Sequence, residues 1–246
     1  MISPEDKRPS AEKILLEVNG LSKSLLENFL VEDIHFKLPQ GHVLGLLGEN
    51  GSGKSSLLQL LAGLIHPDQG NFRLLGFASG QKTKTIISYL PSLDFFHPKK
   101  TFQSLQKDFA HFFKDFDQAC FLDHAKALKL PLDQELRRLS KGYGERGLFC
   151  LTLSRKSSLY LLDEPMVGLD PLSRDILFSM LLDRLGEGRS MIIASQQISF
   201  FEGLFDEVCF LKEGKILRFG PAESLREEFS MSIYDLYRHL YKERTE

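Results

Sequence analysis

Residues 48–55 read Gly-Glu-Asn-Gly-Ser-Gly-Lys-Ser. The spacing G-x-x-x-x-G-K-S, set between a short apolar run and a helical pattern, belongs to a loop that cradles phosphate. Its glycines let the backbone turn N–H groups inward without Cβ clashes, and the helix that follows adds the positive end of its dipole. The residues expected to touch a nucleotide's phosphates are Gly48, Glu49, Asn50, Gly51, Ser52, Gly53, Lys54, Ser55 and Ser56. In such a loop the lysine ammonium reaches the β- and γ-phosphates and the hydroxyl after it ligates Mg2+, which assigns those tasks to Lys54 and Ser55. A second chemical element is the apolar run Leu159-Tyr160-Leu161-Leu162, which ends in Asp163 and Glu164. Two acids at the end of a strand neighbouring the phosphate loop suit two tasks: Asp163 holds Mg2+ through water, and Glu164 orients and polarises an attacking water. The competing readings are a plain Gly-rich turn and a solvated acidic turn. The two elements together favour the nucleotide site.

The segments that must position these residues alternate in period. Ile14–Val18 and Asp33–Leu38 read as strands, the second ending at the turn Pro39-Gln40-Gly41. Val43–Leu47 is a short apolar run that suits a buried strand, and it enters the phosphate loop directly. Lys54–Ala62 is helical, with apolar residues at 57, 58, 60 and 61. Strands are expected at Asn71–Leu75, Ile86–Leu90, Leu159–Leu162, Met191–Ala194, Val208–Lys212 and Lys215–Phe219, and a helix at 173–185. From Thr101 to Leu130 the period is helical, with Phe102, Leu105, Phe109, Phe112, Phe113 and Phe116 in i, i+3, i+4 spacing. Eight of the twenty phenylalanines lie between 95 and 121, which marks this stretch as a separate helical block. A last amphipathic helix, Ile233–Tyr241, aligns Ile233, Leu236, Tyr237, Leu240 and Tyr241. The alternation implies an α/β fold with a largely parallel sheet, an N-terminal antiparallel β part, and a helical subdomain inserted at about 93–155. The expected layout is a mobile tail at 1–13, one domain at 14–229, and a C-terminal helix within 230–246.

Composition narrows the function classes. A net charge of −2 argues against bulk nucleic-acid binding. Three scattered cysteines exclude a disulfide framework and a Cys-rich zinc site, and suit a reducing compartment. The seven histidines show no metal-ligand spacing. No apolar run is long enough to span a membrane, and the charged N-terminus is not a secretory signal. A cytoplasmic location follows as the expectation, with any membrane role exerted through a partner.

Two further stretches carry a family resemblance. Leu139-Ser140-Lys141-Gly142-Tyr143 resembles the signature sequence of ABC ATPases, and Gly168-Leu169-Asp170-Pro171 resembles their D-loop. With the phosphate loop and the acidic strand in the same order, the resemblance covers Ile14 to Phe229. Within that family the chain is most similar to the nucleotide-binding subunits of ABC-2-type, bacitracin-export-like exporters. The similarity rests on the LSKG form of the signature, the turn Tyr89-Leu90-Pro91, the acidic strand with its D-loop, and the late run Phe210–Ile216. The resemblance implies a P-loop NTPase, RecA-like core and a cofactor set of ATP and Mg2+. It implies a second ATP-binding subunit, in a homo- or heterodimer, and a membrane-spanning permease that holds the chain on the cytoplasmic face of the inner or plasma membrane. ATP would sit between the phosphate loop of one copy and Ser140 and Gly142 of the other. From the residues alone, Ser140 also reads as an ordinary helix N-cap, and both roles need the same geometry. A soluble member that uses nucleotide as a regulatory switch is the alternative function.

Three positions depart from the family pattern. The switch histidine falls in Ala194-Ser195-Gln196-Gln197, at Gln196, or at Gln197 on a one-residue slip. A Gln amide donates a hydrogen bond to a γ-phosphate but relays no proton. The catalytic set implied is Glu164, Lys54 and Gln196, with slow turnover. Ser92 stands where the family has a glutamine that helps hold Mg2+, so the metal set is Ser55, Asp163 and, through a bridging water, Ser92. Leu25 stands where an aromatic stacks on adenine, with Phe29 as its substitute. The resemblance also makes the Phe-rich block the docking surface for the permease. Helical spacing instead puts most of these rings in the block's own core, leaving Phe95, Phe96 and His97 as the exposed part.

Overall fold

A computed structural model describes residues 13–25 and 28–242, with the backbone alone at 28 and 29. The chain begins with β1 (Ile14–Leu25), β2 (Asn28–Pro39) and β3 (Val43–Leu47), then α1 (Lys54–Leu61), β4 (Gln69–Leu74), β5 (Phe77–Ala78), α2 (Gln81–Ile86) and β6 (Ile87–Tyr89). A helical stretch follows, α3 (Phe102–Phe112), α4 (Gln118–Ala127) and α5 (Lys141–Leu153), before β7 (Leu159–Asp163), α6 (Pro171–Gly186) and β8 (Ser190–Ala194). The last elements are α7 (Ile198–Phe201), β9 (Glu207–Lys212), β10 (Lys215–Pro221), α8 (Ala222–Phe229) and α9 (Ile233–Lys242). Residues 1–12 of the expected tail and 243–246 lie outside the described residues. No described helix is long and apolar enough to cross a membrane.

The strands form two sheets. One is antiparallel in the order β2-β1-β4-β5; the other has six strands in the order β10-β9-β3-β8-β7-β6. All neighbours in the second are parallel except β10 against β9. This is the expected α/β architecture, with its mainly parallel sheet and N-terminal antiparallel part. β3 and β8 are buried along their whole length, as parallel strands covered on both faces must be. Their side chains alternate between two cores. Leu44, Leu46, Leu161, Ile192 and Ala194 meet α1 and the antiparallel sheet. Val43, Leu47, Tyr160, Leu162, Met191 and Ile193 meet residues of α5, α6 and α9.

Two expectations need correction. The acidic strand does not neighbour the phosphate-loop strand, because β8 lies between β3 and β7. Strand order depends on which way each crossover turns, which no local pattern records. The helical run 101–130 is also broken, since Asp115 and Asp117 take partners that a continuous helix would deny them. Asp115 accepts from Arg155 Nε and Nη2, each at 3.1 Å, and from Ser157 Oγ at 3.0 Å. Asp117 caps α4 by accepting from the Cys120 N–H at 3.0 Å. The phenylalanines divide accordingly. Phe102 and Phe121 are fully buried, Phe109 and Phe116 pack at 5.7 Å between centroids, and Phe112 is left 72% exposed.

Helix α5 packs closely at the centre of this block at Gly147, a position with no side chain. A Cβ on Gly147 would lie 2.0 Å from the Phe102 ring, which is wholly buried. Gly147→Ala is therefore expected to destabilise the fold by about 1–3 kcal/mol through overpacking. Urea unfolding checks this: the midpoint should fall with the slope unchanged.

Candidate functional site

β3 ends at the C-terminal edge of the parallel sheet, and the phosphate loop turns there into α1. That edge is where crossover connections leave a crevice for ligands. Gly53 is the N-cap of α1 in a left-handed conformation, φ 104°. A Cβ there would sit 2.3 Å from the Leu30 carbonyl oxygen. A Cβ on Gly48 would sit 2.4 Å from the Leu211 carbonyl oxygen. The loop is thus packed directly on neighbouring backbone. Lys54 is buried, and its Nζ donates to the carbonyls of Gly48 at 2.7 Å and Glu49 at 2.8 Å. Burial lowers its pKa, while the charges of Glu164, Asp163 and Glu49 oppose that shift. The buried Ser52 Oγ has no hydrogen-bond partner among the described residues.

Asp163 is the last residue of β7, and Glu164 follows in a left-handed backbone, φ 45°, uncommon for a residue with a Cβ. The turn is held because the Glu164 N–H donates to the Ala194 carbonyl at 2.8 Å, at the end of β8. Glu164 Oε2 accepts from Ser195 Oγ at 3.3 Å and from the Gln196 N–H at 3.2 Å. Its other oxygen, Oε1, is buried without a partner. Burial raises the Glu164 pKa above the ordinary carboxylate range, opposed by the Gln196 N–H and the Lys54 charge. Of the two candidate glutamines, Gln196 meets the phosphate loop: its Nε2 donates to Asn50 Oδ1. Gln197 only caps the short α7, with its N–H donating to Ser195 Oγ at 3.0 Å.

Two cavities meet at these residues. One of about 220 Å3 is lined by Leu30, Asn50, Gly51, Gly53, Lys54, Ser55, Ser56, Asp163 and Glu164. The other, about 590 Å3, runs along Ser55, Gln59, Tyr89, Ser92, Phe95, Lys141 and Glu145, and shares Ser55, Asp163 and Glu164 with the first. The three expected metal-site residues, Ser55, Asp163 and Ser92, therefore line one cavity. They offer oxygen donors of the kind Mg2+ takes. Among the described residues there is no group of three or more His, Cys, Asp or Glu that could hold a metal. Mg2+ needs none, because one or two protein oxygens suffice when phosphates and water complete its shell. The glycine cradle and the unpartnered Ser52 hydroxyl fit a phosphate group in the same way.

Other expected residues stand apart. Ser140 caps α5 and accepts from the Tyr143 N–H at 3.4 Å; neither it nor Gly142 lines either cavity. Leu25 is 62% exposed at the end of β1, and the side chain of Phe29 lies outside the described residues. Phe95 is 56% exposed on the rim of the larger cavity, whereas Phe96 packs against the core and so departs from expectation. Sequence reading missed Ser195 and Arg146. Ser195 carries the same apolar-to-polar strand ending that marks Asp163. Arg146 ties the start of α5 to α6: its Nε donates to the Gly142 carbonyl at 3.0 Å and its Nη1 to Ser173 Oγ at 2.8 Å. No local signal marks that partner, which lies 27 residues away.

A sequence profile described as ABC transporter matches residues 31–167, more than half of the chain. The chain is similar to the ABC transporter ATP-binding protein YtrB of Bacillus subtilis (strain 168), 27% identical over 218 residues, which cover 87% of this chain and 75% of that protein. It is similar to the Nod factor export ATP-binding protein I of Sinorhizobium fredii (strain NBRC 101917 / NGR234), 27% identical over 238 residues, 93% of this chain and 69% of that one. Among solved structures, an ATP-binding subunit of an ABC transporter superposes with a TM-score of 0.82 at 23% identity, covering 92% of this chain and 99% of that one. A dimeric ATP-binding cassette in a post-hydrolysis state, bound to ADP and Pi, superposes with a TM-score of 0.73 at 16% identity, over 84% and 98% of the two chains. At these identities the structural likeness establishes the fold, that of a P-loop NTPase cassette.

Proposed function

The chain belongs to the ABC transporter family, and from that membership we propose that it is the ATP-hydrolysing subunit of a transporter that exports its substrate. The observation that carries this reading is a divided site. Lys54, Ser55, Asp163 and Glu164 line the cavities at one sheet edge and Gln196 joins them through Asn50, whereas of the signature stretch only Lys141 reaches a cavity and Ser140 and Gly142 line neither. A site built in two parts is completed by a second ATP-binding subunit, whose Ser140 and helix N-terminus supply donors to the γ-phosphate. The dimeric cassette bound to ADP and Pi and the export protein among the relatives support this. Closure of the pair then drives a membrane-spanning permease, which keeps the chain on the cytoplasmic face of the membrane.

In this reading the loop N–H groups and Lys54 bind the β- and γ-phosphates. Mg2+, when bound, neutralises charge on those phosphates; Ser55, Asp163 and, through water, Ser92 are its oxygen donors. Glu164 orients and polarises water for attack on the γ-phosphorus. Gln196 donates to the γ-phosphate but relays no proton, so turnover is slow. Purification from detergent-solubilised native membranes tests the assignment. A polytopic membrane protein in near-equal amount supports it. Recovery from the soluble fraction alone would replace it with a nucleotide-dependent regulatory switch.

The Gln196 role has its own test. Gln196→His restores a ring that both binds phosphate and exchanges protons, so kcat should rise roughly fivefold to tenfold. An unchanged rate would remove Gln196 as the cause of slow turnover.

A further inference from the structure

Helix α9 runs against the base of the phosphate loop. The Tyr241 hydroxyl donates to the Leu211 carbonyl at 2.8 Å, with the Leu47 carbonyl at 3.4 Å. Leu47 is the last residue of β3, directly before Gly48. The Leu211 carbonyl is the same oxygen that leaves no room for a Cβ on Gly48. One phenol O–H therefore holds the two strand ends that frame the first residue of the loop. A ring there for packing alone would be served by Phe; the hydroxyl is what reaches the carbonyls.

The rest of the helix keeps that hydroxyl in place. Tyr237, one turn earlier, stacks on Tyr241 at 4.5 Å and 30°. Ile233 and Leu236 are wholly buried. The Tyr234 N–H donates to Glu202 Oε2 at 3.0 Å, next to α7, the helix that follows Gln196. Helix α9 thus bonds both to the residue before Gly48 and to the residue that follows α7. Burial, helped by the charges of Glu49 and Glu164, makes the Tyr237 phenol hold its proton more tightly.

We infer that Tyr241 is a positioning residue for the nucleotide: its hydroxyl fixes the ends of β3 and β9 so that the phosphate loop keeps its binding geometry. The inference rests on the nucleotide-binding reading above, and it makes α9 part of the site rather than an appendage.

The test is calorimetric titration of the full chain with ADP in the presence of Mg2+, paired with thermal unfolding. Tyr241→Phe removes one oxygen and keeps the ring. It should weaken ADP binding roughly threefold to tenfold, the effect of one lost hydrogen bond felt through the loop. Leu105→Ala, a cavity in the buried face of α3, is the control for general destabilisation. It should lower Tm at least as much while leaving the ADP affinity unchanged. Tyr241→Phe binding within twofold of the natural chain would overturn the inference, as would an equal loss of affinity in both variants. A natural chain that binds no ADP would overturn the nucleotide reading itself, and the role of Tyr241 with it.

Discussion

Glu164→Gln should reduce ATP turnover by about 10²–10⁴-fold, the usual span for losing a positioned general base, while nucleotide binding survives and thermal stability rises or holds. The amide keeps the shape of the carboxyl and can still accept from Ser195 Oγ and the Gln196 N–H, the two groups that hold Oε2. What it lacks is the charge that we propose polarises water. That charge is also a burden to the fold, because Oε1 is buried without a partner and burial penalises an ionised carboxyl. Removing it costs activity and relieves the interior.

The same residue sets a pH dependence. Its carboxyl titrates above the ordinary range in the folded chain, chiefly because it is buried. The base form is lost as pH falls through that raised value, so the acidic limb of kcat/KM should lie higher than an ordinary glutamate would put it. For stability the sign is opposite. The folded chain binds this proton more tightly than the unfolded chain, so this contribution to stability falls as pH rises from the ordinary value through the raised one. Steady-state ATPase profiles and thermal scans across mildly acidic pH check both. If Glu164→Gln retained near-normal turnover, Glu164 would not be the base.

Gly53→Ala should affect binding and folding together. The position combines φ 104° with a Cβ 2.3 Å from the Leu30 carbonyl and 3.2 Å from Val31 Cγ1. Leu30 sits at a bulge of β2, but its neighbours Phe29 and Val31 pair with Ser24 and Lys23 of β1, which limits how far its carbonyl can give way. The loop must move instead. The left-handed conformation and the contact together should cost about 3 kcal/mol, which for a chain of this size lowers Tm by about 6–12 °C. Nucleotide affinity should fall more than about 100-fold, because the displaced N–H groups and Lys54 no longer converge on one anion. Gly51→Ala is the internal comparison. It also has a positive φ, 78°, but nothing within 4 Å of an added Cβ. It should lose only about 1 kcal/mol. Equal effects at the two positions would mean that conformation alone, and not contact with Leu30, makes Gly53 necessary.

Much of this site was legible before any coordinates. The loop at 48–55 is contiguous, and its spacing is itself the geometry: glycines where the backbone turns, a lysine and a hydroxyl at the first helical positions. The acidic pair is legible because an apolar run stops abruptly at Asp163. Even Ser140 could be read as a cap, and it caps α5. Where sequence reading failed, a side chain had been drawn away by a remote partner. Periodicity carried one helix through residues 113–117, but Asp115 is held by Arg155, 40 residues further on. Phe112 shares the spacing of its buried neighbours and is nonetheless exposed, because the helix ends there and its face has nothing to meet.

The sequence by itself singled out the residues proposed to bind phosphate and activate water, because those capacities belong to residue types arranged over a few consecutive positions. Only the tertiary structure decided how the pieces meet. It put β8 between the loop strand and the acidic strand, joined Gln196 to Asn50, 146 residues away, and brought Tyr241 to the Leu47 carbonyl across 194 residues. The physical reason is that local spacing sets the conformation of a loop or a strand end. Which strand lies beside which is settled by the burial of whole faces, and that is a property of the folded chain rather than of any short stretch within it.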